Sequence, residues 1–358
     1  MNRTTGLILC WLAHSSAMAS EPVKQQPGIR HINHADLSQY VDANGQLRPI
    51  QSVADWEIRR GQILEGVQAA MGSLPAKESK VPLDVKVLEE KNVGKLVRRN
   101  LTYQSDVEDR VPAFVMFLQD ETRRQRPAVL CLHQTTAVGK DEPTGLRGDP
   151  ELQYALELAE RGYVVIAPDY PTFGEHPYDF LKNKRYASGS MKAIWDNIRA
   201  VDLLATLPEV DPERIGVIGH SLGGHNAMFT ALFDPRLKAI VSSCGFTALR
   251  KDDLPSWTGP TYMPRIATEF RNDIAQMPFE FDEIVAALAP RGFFASAAAQ
   301  DDDFDVSGVR DVIASATPIY KRYEVSGRLV AYYPPTAHSF PRDARKRAYE
   351  FLDRILKP

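Results

Sequence analysis

The stretch GHSLGG, residues 219–224, has the pattern Gly-x-Ser-x-Gly with Ser221 at its centre. The apolar run 214–218 precedes it, and a helix-like run over 222–233 follows it. Strand, tight turn and helix is the context in which this pattern forms a nucleophile elbow, a strained turn that holds the serine hydroxyl out. A Cβ at either flanking glycine would collide with the adjoining strand and helix, so we expect both glycines to be required. Besides Ser221, the predicted elbow consists of Gly219, His220 and Gly223.

Length and composition are those of an ordinary globular protein. The chain has 358 residues, of which 44% are hydrophobic and 25% charged, enough for one large or two ordinary domains. Its formal net charge of -3 provides no basic surface, so we expect no nucleic-acid partner. Beyond the N-terminus no segment is long and apolar enough to cross a bilayer, so we expect no stable membrane association.

The first 19 residues are predicted to be a signal peptide. Arg3 supplies a short basic region, a brief apolar stretch follows, and residues 17–19 match an Ala-x-Ala cleavage pattern. We therefore expect cleavage after Ala19 and export to the periplasm or the extracellular space. An uncleaved anchor is one alternative. A lipoprotein formed through Cys10 is another, which the bulky residues before that cysteine disfavour.

Hydrophobic periodicity organises the rest of the chain. Residues 20–49 are polar and aperiodic, as is typical of an extended arm, and apolar residues at helical spacing predict a helix over 52–71 that ends at Gly72. Alternating stretches then predict antiparallel strands, and from residue 128 onward buried strands alternate with helices. This alternation predicts an α/β fold with a mainly parallel, twisted sheet covered by helices on both faces. The predicted antiparallel strands are 83–88, 95–103 and 111–118, the later strands 128–132, 163–167, 214–218, 237–241, 292–297 and 329–333, and the later helices 151–161, 191–207, 222–233, 309–323 and 343–356.

A segment rich in proline and aromatic residues, 246–282, interrupts this alternation. Because it follows the C-terminal end of a strand it would lie over the serine, and we interpret it as a cap or substrate-binding insertion. Trp257 and Tyr262 within it are candidate substrate-binding residues. Cys131 and Cys244 lie in apolar stretches and are expected to be buried, unreactive thiols. The predicted organisation is a signal peptide (1–19), an N-terminal arm and helix (20–80), and a catalytic domain (81–358) that carries the insertion.

The base that activates Ser221 can be found by elimination among eight histidines. A serine hydroxyl is a weak nucleophile until a base takes its proton, and histidine titrates near working pH. For a serine on such an elbow, the acid and then the histidine follow in the chain, and only His338 satisfies this order. His225 lies four residues beyond the serine on a helix, where its ring cannot swing back to the hydroxyl.

The acid is expected directly after the strand predicted at 292–297, where residues 301–303 are all aspartate. A carboxylate there would hold the tautomer of the histidine and stabilise its cationic form. In an extended segment Asp301 and Asp303 would share a face and Asp302 would point away. Asp301 is therefore the preferred acid and Asp302 the second choice.

Two backbone N–H groups are predicted to hold the oxyanion of the tetrahedral intermediate. One belongs to Leu222, directly after the serine, and the other to the loop after the strand predicted at 128–132. In that loop Thr135 is the first choice and Gln134 the second, and whether the glutamine side chain also touches the substrate stays open. This chemistry needs no metal and no organic cofactor.

Several stretches of the chain together resemble one superfamily, the α/β-hydrolases, over about residues 83–356, and they look like bacterial exported hydrolases related to acetylxylan esterases and dienelactone hydrolases. In that group the elbow serine is the nucleophile, the aspartate after the strand is the triad acid and the loop histidine is the base. The resemblance thus implies Ser221, Asp301 and His338, in an α/β-hydrolase fold. The stretches that carry it are LHQTT (132–136), APDY (167–170), PEVDPERI (208–215), GHSLGG (219–224), DDDFDV (301–306) and HSFP (338–341).

The resemblance implies a secreted serine carboxylic-ester hydrolase that acts through an acyl-enzyme. A small-molecule or polysaccharide ester is the expected partner, with acetyl groups on plant or algal polysaccharide as the first expectation. The same fold serves prolyl-oligopeptidase-like peptidases, lactone hydrolases and glucuronoyl esterases, which are the alternatives, and a non-catalytic binding scaffold is a further one. The segment before residue 81 is too short for a propeller domain, which disfavours an oligopeptidase. His220 occupies the position where glucuronoyl esterases usually carry a cysteine, which disfavours a glucuronoyl esterase.

Overall fold

The structure is a computed structural model that describes residues 32–119 and 125–357. The predicted signal peptide (1–19), with Cys10, and residues 20–31 of the predicted arm lie outside the described residues. Among the described residues, no helix combines the length and the apolar character that a bilayer span requires.

Nine strands of the described chain form one sheet, and two shorter strands form a separate hairpin. The hairpin strands are β1 (Gln39–Val41) and β2 (Leu47–Pro49), and the sheet strands are β3 (Lys86–Val93), β4 (Leu96–Asp106), β5 (Asp109–Leu118), β6 (Arg126–Leu132), β7 (Val164–Pro168), β8 (Val210–His220), β9 (Leu237–Ser243), β10 (Gly292–Ser296) and β11 (Leu329–Tyr332). The order across the sheet is β11-β10-β9-β8-β6-β7-β5-β4-β3. Strands β6 to β11 pair in parallel, while β3, β4, β5 and β7 pair antiparallel. The predicted parallel sheet with an antiparallel edge is confirmed.

Helices cover both faces of the sheet, as the alternation of strands and helices predicts. They are α1 (Val53–Met71), α2 (Tyr154–Glu160), α3 (Gly189–Thr206), α4 (Leu222–Phe233), α5 (Arg265–Thr268), α6 (Phe281–Ala287), α7 (Val306–Arg322) and α8 (Arg342–Leu356). Helices α1, α3, α4, α6 and α7 contribute to one apolar core against the sheet. Helices α2 and α8 share a second core on the opposite face.

Helix α1 begins and ends where its sequence signals predict. The Ser52 hydroxyl accepts a hydrogen bond from the amide of Asp55, whose carboxylate accepts one from the amide of Ser52. This reciprocal capping box satisfies two of the unpaired N–H groups at a helix start. The helix ends at Gly72, which has a φ of +94°. Side chains such as Trp56 are fully buried in the larger core, so the helix packs directly on the rest of the fold.

Some elements differ from the prediction. The arm predicted to be extended contains the β1–β2 hairpin, because the Asp42 carboxylate accepts hydrogen bonds from the Asn44 and Gln46 amides and so closes a turn at Gly45. The first predicted sheet strand, 83–88, is displaced to Lys86–Val93. The helix predicted over 151–161 begins as a 3₁₀ turn at residues 150–152 and becomes α-helical only from Tyr154. Helix α6 was not predicted.

The segment 246–282 connects β9 to α6 through short helical turns. Several of its aromatic side chains pack into the larger core, among them Trp257, Phe279 and Phe281. Other residues of the segment border a cavity at the C-terminal edge of the parallel strands, where Ser221 lies. One side of the segment therefore packs against the larger core, and the other side lines the cavity.

Candidate active site

Ser221 occupies a strained turn between β8 and α4. Its φ of 52° and ψ of -120° are values that a side chain bearing a Cβ rarely adopts. The Ser221 amide donates to the carbonyl of Ser243 at 2.8 Å, which ties the turn to β9. A Cβ on Gly219 would lie 2.2 Å from the Gly223 backbone, and one on Gly223 would lie 2.0 Å from the Leu132 carbonyl oxygen. Both glycines are thus needed for strand and helix to close around the serine.

The His338 side chain lies in the loop between β11 and α8 and pairs with Asp301. Its Nδ1 is 3.0 Å and 3.1 Å from the two carboxylate oxygens. The Asp301 side chain is buried, and the imidazole packs against the rings of His220 and Phe304 with centroid separations of 4.9 Å and 5.9 Å. Because the carboxylate accepts from Nδ1–H, the pairing leaves Nε2 as the atom that can take a proton.

Asp301 is held by a turn and not by an extended strand. Its Oδ1 accepts hydrogen bonds from the amides of Asp303 and Phe304 at 3.0 Å and 3.1 Å. The premise of side-chain alternation across residues 301–303 was therefore wrong, because the chain bends there between β10 and α7. Asp301 is nevertheless the residue that the structure places against His338. Asp302, the second choice, makes no ion pair or hydrogen bond with that ring among the described residues and lines the cavity instead.

The pairing of Asp301 with His338 favours the charged form of each side chain. Burial alone would raise the pKa of Asp301, but the hydrogen bond and the charge of His338 bring it below its ordinary value. Burial alone would lower the pKa of His338, but the hydrogen bond and charge of Asp301, followed by the charges of Asp303 and Asp302, raise it. The surroundings thus stabilise the imidazolium, the state that forms when the histidine accepts a proton.

Ser221 lines a cavity beside which His338 lies, and the two side chains are not bonded to each other. Among the described residues the Ser221 hydroxyl makes no side-chain hydrogen bond. Phe304, which packs against His338, lines a cavity of about 370 Å³ together with Ser221. Hydrogen bonds between nucleophile and base are often long in substrate-free structures and tighten when substrate binds. Ser221 therefore lies in the cavity wall, the Asp301–His338 pair lies beside that wall at Phe304, and the hydrogen bond between serine and histidine is expected to form in the substrate complex.

His133 fixes the loop that carries the predicted oxyanion donors. Its Nε2 accepts from the Tyr170 amide at 2.9 Å, so the 2.6 Å contact of Nδ1 with the Gln134 carbonyl is a bond that Nδ1–H donates. Burial lowers the pKa of His133, although the charge of Asp169 opposes this effect. A neutral imidazole with one fixed tautomer thus holds the turn that follows β6.

The two candidate oxyanion residues of this loop, Thr135 and Gln134, lie differently with respect to the cavity. Thr135 and Leu222 line the cavity beside Ser221. The side chain of Gln134 instead donates to Glu142 at 3.2 Å and does not line the cavity. The open question about this glutamine is therefore answered for its side chain, which is engaged away from the cleft.

Both predicted substrate-binding residues of the insertion reach the cavity. The Tyr262 hydroxyl lies 3.1 Å from Thr135 Oγ1 and joins the insertion to the oxyanion loop. The Trp257 indole N–H donates to Asp252 at 2.9 Å, which fixes the ring plane. Sequence reasoning missed other lining residues, although helical spacing from Ser221 could have indicated the first of them. They are His225, Asp252, Asp253, Ser256, Asp303 and Phe304.

Cys131 and Cys244 are both free and buried, as expected. Cys244 directly follows β9 and lies beside the Asp301–His338 pair, and burial followed by the charge of Asp301 raises the pKa of its thiol to about 12. Cys244, Asp301 and His338 bring possible metal-ligand atoms within 4.8 Å of one another. Since Asp301 and His338 are bonded to each other, this cluster is better described as the acid–base pair with a neutral thiol beside it.

A second cluster with metal-ligand spacing consists of Asp109, His176 and Asp196. The buried ammonium group of Lys192 lies inside it, bonded to Asp109 at 2.5 Å and also to Asp196. His176 Nε2 lies 3.0 Å from Asp109. An ammonium group of the chain itself therefore already pairs with both carboxylates.

Comparisons with known proteins agree with this architecture. The sequence profile of the prolyl oligopeptidase family matches residues 150–355. The protein YtaP of Bacillus subtilis (strain 168) is 26% identical over 304 residues, which cover 80% of this chain and 96% of YtaP. A glucuronoyl esterase from Solibacter usitatus superposes with a TM-score of 0.69 at 18% identity, over 90% of this chain and 97% of that chain. An acetyl xylan esterase from Paenibacillus sp. R4 superposes with a TM-score of 0.52 at 18% identity, over 77% and 90% of the two chains. These likenesses confirm the predicted α/β-hydrolase fold.

Proposed function

The chain belongs to the prolyl oligopeptidase family of serine hydrolases, and we propose that it hydrolyses carboxylic esters through an acyl-enzyme. The observation that carries the proposal is the pairing of His338 Nδ1 with both oxygens of Asp301, beside the cavity that Ser221 lines. All three residues lie within the segment that matches the family.

In the proposed reaction Ser221 Oγ attacks the ester carbonyl while His338 Nε2 accepts the hydroxyl proton. Asp301 stabilises the imidazolium that results. The N–H groups of Leu222 and Thr135 hold the oxyanion of the tetrahedral intermediate. His338 then protonates the leaving alcohol, and water activated by the same histidine releases the acid from Ser221.

The comparisons support an ester of a carbohydrate as the substrate. A glucuronoyl esterase and an acetyl xylan esterase share the fold of this chain over most of its length. The family name equally supports a peptidase, which is the principal alternative. Within one fold the residues that line the cleft decide which substrate is preferred. The charges of these residues help to choose between neutral and anionic esters.

The cavity favours an uncharged substrate over an anionic one. Asp252, Asp253, Asp302 and Asp303 line it, and no lysine or arginine of the described chain does. Carboxylates repel one another in a partly desolvated cleft, so a free acid on the substrate would find no partner. We therefore propose an acetyl ester on a neutral sugar of plant or algal polysaccharide. The protein would meet it outside the cell, after removal of the predicted signal peptide.

Turnover of an aryl acetate by the purified protein tests the proposed reaction. Ser221→Ala is expected to lower kcat by roughly 10⁴-fold or more, because the nucleophile is lost. Ser256→Ala removes another serine of the cavity lining and is the matched control, expected to retain most of the turnover. A wild-type protein without activity, or a Ser221→Ala variant as active as the wild type, would contradict the proposal.

Relative rates on acetylated xylan, a peptidyl amide and a lactone separate ester hydrolysis from the alternatives. Faster cleavage of the amide would assign a peptidase, and faster opening of the lactone would assign a lactone hydrolase. A fluorophosphonate probe distinguishes an enzyme from a binding scaffold. It is expected to label the wild-type protein at Ser221 and to leave Ser221→Ala unlabelled.

A further inference from the structure

One polar side chain of the cavity has no role in the proposed reaction. His225 lies on α4 one helical turn after Ser221 and lines the same cavity. It is only 5% exposed, and neither Nδ1 nor Nε2 makes a hydrogen bond of ordinary geometry among the described residues, although the Gly245 backbone lies close enough to influence the ring. Buried polar atoms without partners are rare in native proteins, and a missing ligand is one explanation for them.

The aromatic neighbours of His225 do not satisfy its ring nitrogens. The ring of Trp257 lies at a centroid distance of 4.8 Å and that of Tyr262 at 6.2 Å, both tilted against the imidazole. The polar groups of these two side chains are engaged elsewhere, since the indole N–H donates to Asp252 and the phenol hydroxyl contacts Thr135. Aromatic rings therefore surround the imidazole and leave almost no accessible surface on either nitrogen. A molecule in the cavity reaches a nitrogen when these side chains move apart on binding.

The imidazole of His225 is uncharged near neutral pH. Burial lowers its pKa to about 3, although the backbone of Gly245 acts in the opposite direction. A neutral imidazole offers one N–H donor and one nitrogen acceptor. An alcohol hydroxyl both donates and accepts, whereas a carboxylate only accepts and an ammonium group only donates. The chemistry of the ring thus matches a hydroxyl group.

We infer that His225 binds a free hydroxyl group of the substrate sugar next to the ester that Ser221 attacks, with the Trp257 ring as an apolar wall beside it. This inference rests on the proposed function and specifies its substrate class. The preferred substrate is a neutral sugar that is only partly acetylated and carries a free hydroxyl close to the acetyl group. A simple alkyl or aryl acetate lacks that hydroxyl and leaves the imidazole unpaired.

The wild-type protein alone provides the first test. The isomeric monoacetates of methyl β-xylopyranoside are compared with counterparts in which one free hydroxyl is replaced by hydrogen. A site built to hydrogen-bond a hydroxyl discriminates strongly against the analogue that lacks it, so at least one pair is expected to differ in kcat/KM by about tenfold or more. Equal kcat/KM values for every pair would overturn the inference. No turnover of any substrate, together with no fluorophosphonate labelling of Ser221, would contradict the proposed function instead.

Variants at position 225 provide the second test. His225→Phe keeps the aromatic packing and removes both nitrogens, so the preference for the hydroxylated substrate should fall by about tenfold or more. His225→Gln returns a neutral donor and acceptor and is expected to recover part of that preference. Tyr320→Phe is the matched control, because it removes another buried, unpartnered polar atom on α7, away from the cavity. It should keep the wild-type preference.

Thermal unfolding and fluorophosphonate labelling show whether each variant is folded and has an intact elbow. A folded His225→Phe variant with the wild-type preference would contradict the inference. If His225→Phe does not fold, His225→Gln and the deoxy-substrate series on the wild type decide between the same outcomes. The inference is also wrong if the kcat/KM ratio of hydroxylated and deoxy substrates is close to one and does not change on substitution of His225. Only water would then occupy this part of the cavity.

Discussion

Asp301 differs from its aspartate neighbours because both of its oxygens face the His338 ring while backbone amides hold it in place. Asp301→Asn would keep the shape but favour the wrong tautomer of the histidine. We expect kcat on an aryl acetate to fall by about 10³- to 10⁴-fold. Asp302→Asn is the matched control and should lower kcat by less than about tenfold, since Asp302 makes no hydrogen bond with the ring. Similar losses in the two variants, measured by steady-state kinetics, would contradict the assignment of the acid.

The pH dependence of the reaction should report the charges around His338. The proposed base must be neutral to accept a proton. Burial lowers its pKa, but the hydrogen bond with Asp301 and the charges of Asp301, Asp303 and Asp302 outweigh burial and raise the pKa above 6.5. We therefore expect kcat/KM to fall with decreasing pH around an apparent pKa above 6.5. Asp303 Oδ2 lies 3.9 Å from His338 Nε2.

Asp303→Asn removes one of the charges that stabilise the imidazolium, so the acid limb of the kcat/KM profile should move to lower pH. The plateau at high pH serves as the internal control, because the base is already neutral there. An acid limb that stays in place or moves to higher pH would show that another group governs it.

At the residue scale, side chains whose chemistry is tied to chain position were predictable. Ser221 follows from its elbow pattern, and His338 from its order in the chain and its loop position. The significance of His225 could not be predicted, because it depends on which atoms lack partners after packing. The direction of the Gln134 side chain could not be predicted either, since its partner Glu142 directly follows a 3₁₀ turn that the sequence did not indicate.

The elbow as an element depends on the close approach of α4 to β6. A Cβ on Gly223 would meet the Leu132 carbonyl oxygen at 2.0 Å and its carbon at 2.6 Å, both backbone atoms that cannot rotate away. Gly223→Ala is therefore expected to lower the free energy of unfolding by about 1–3 kcal/mol or more. Gly61→Ala on α1 is the matched control, because a Cβ there has no neighbour within 4 Å. It should raise the free energy of unfolding by about 0.5–1 kcal/mol.

Denaturant unfolding followed by circular dichroism measures both effects. A Gly223→Ala protein as stable as the wild type would mean that strand and helix can separate without cost. Destabilisation by Gly61→Ala would contradict the expectation that a methyl group is tolerated on this exposed face of α1.

Strands and helices with a continuous apolar run or a clear periodicity were predictable close to their observed positions. Boundaries set by strand pairing, and a short helix started by a cap, were not. Strand β8 begins at Val210 and not at residue 214, because Val210 pairs with Arg126 of β6 across an irregularity in the register. Helix α6 is short and lies after a proline-rich segment, so periodicity gives it little signal. A reciprocal cap made by Glu280 and Glu283 starts it.

At the scale of the whole molecule, a buried ion pair joins the N-terminal part of the chain to helix α6, which follows the insertion. The Arg59 guanidinium on α1 bonds the Glu283 carboxylate on α6, and both side chains are 1% exposed. His34 Nδ1 contacts the same carboxylate at 3.0 Å, and the Glu280 amide donates to it at 3.1 Å. From the sequence we predict an N-terminal arm and helix (20–80) that are distinct from the catalytic domain (81–358). The sequence could not predict this link, because the partners lie 224 residues apart and nothing local marks them as a pair.

Removing the cation of this pair should destabilise the whole fold. In Arg59→Met the methionine fills most of the volume but leaves the Glu283 carboxylate buried without its partner, which typically costs about 3–5 kcal/mol of unfolding free energy. Arg48→Met is the matched control, because Arg48 pairs with Asp42 in an exposed hairpin where ion pairs contribute little. Urea unfolding followed by fluorescence and by circular dichroism should show a large loss only for Arg59→Met. Equal stability of the two variants would mean that the N-terminal helix is held by its apolar face alone.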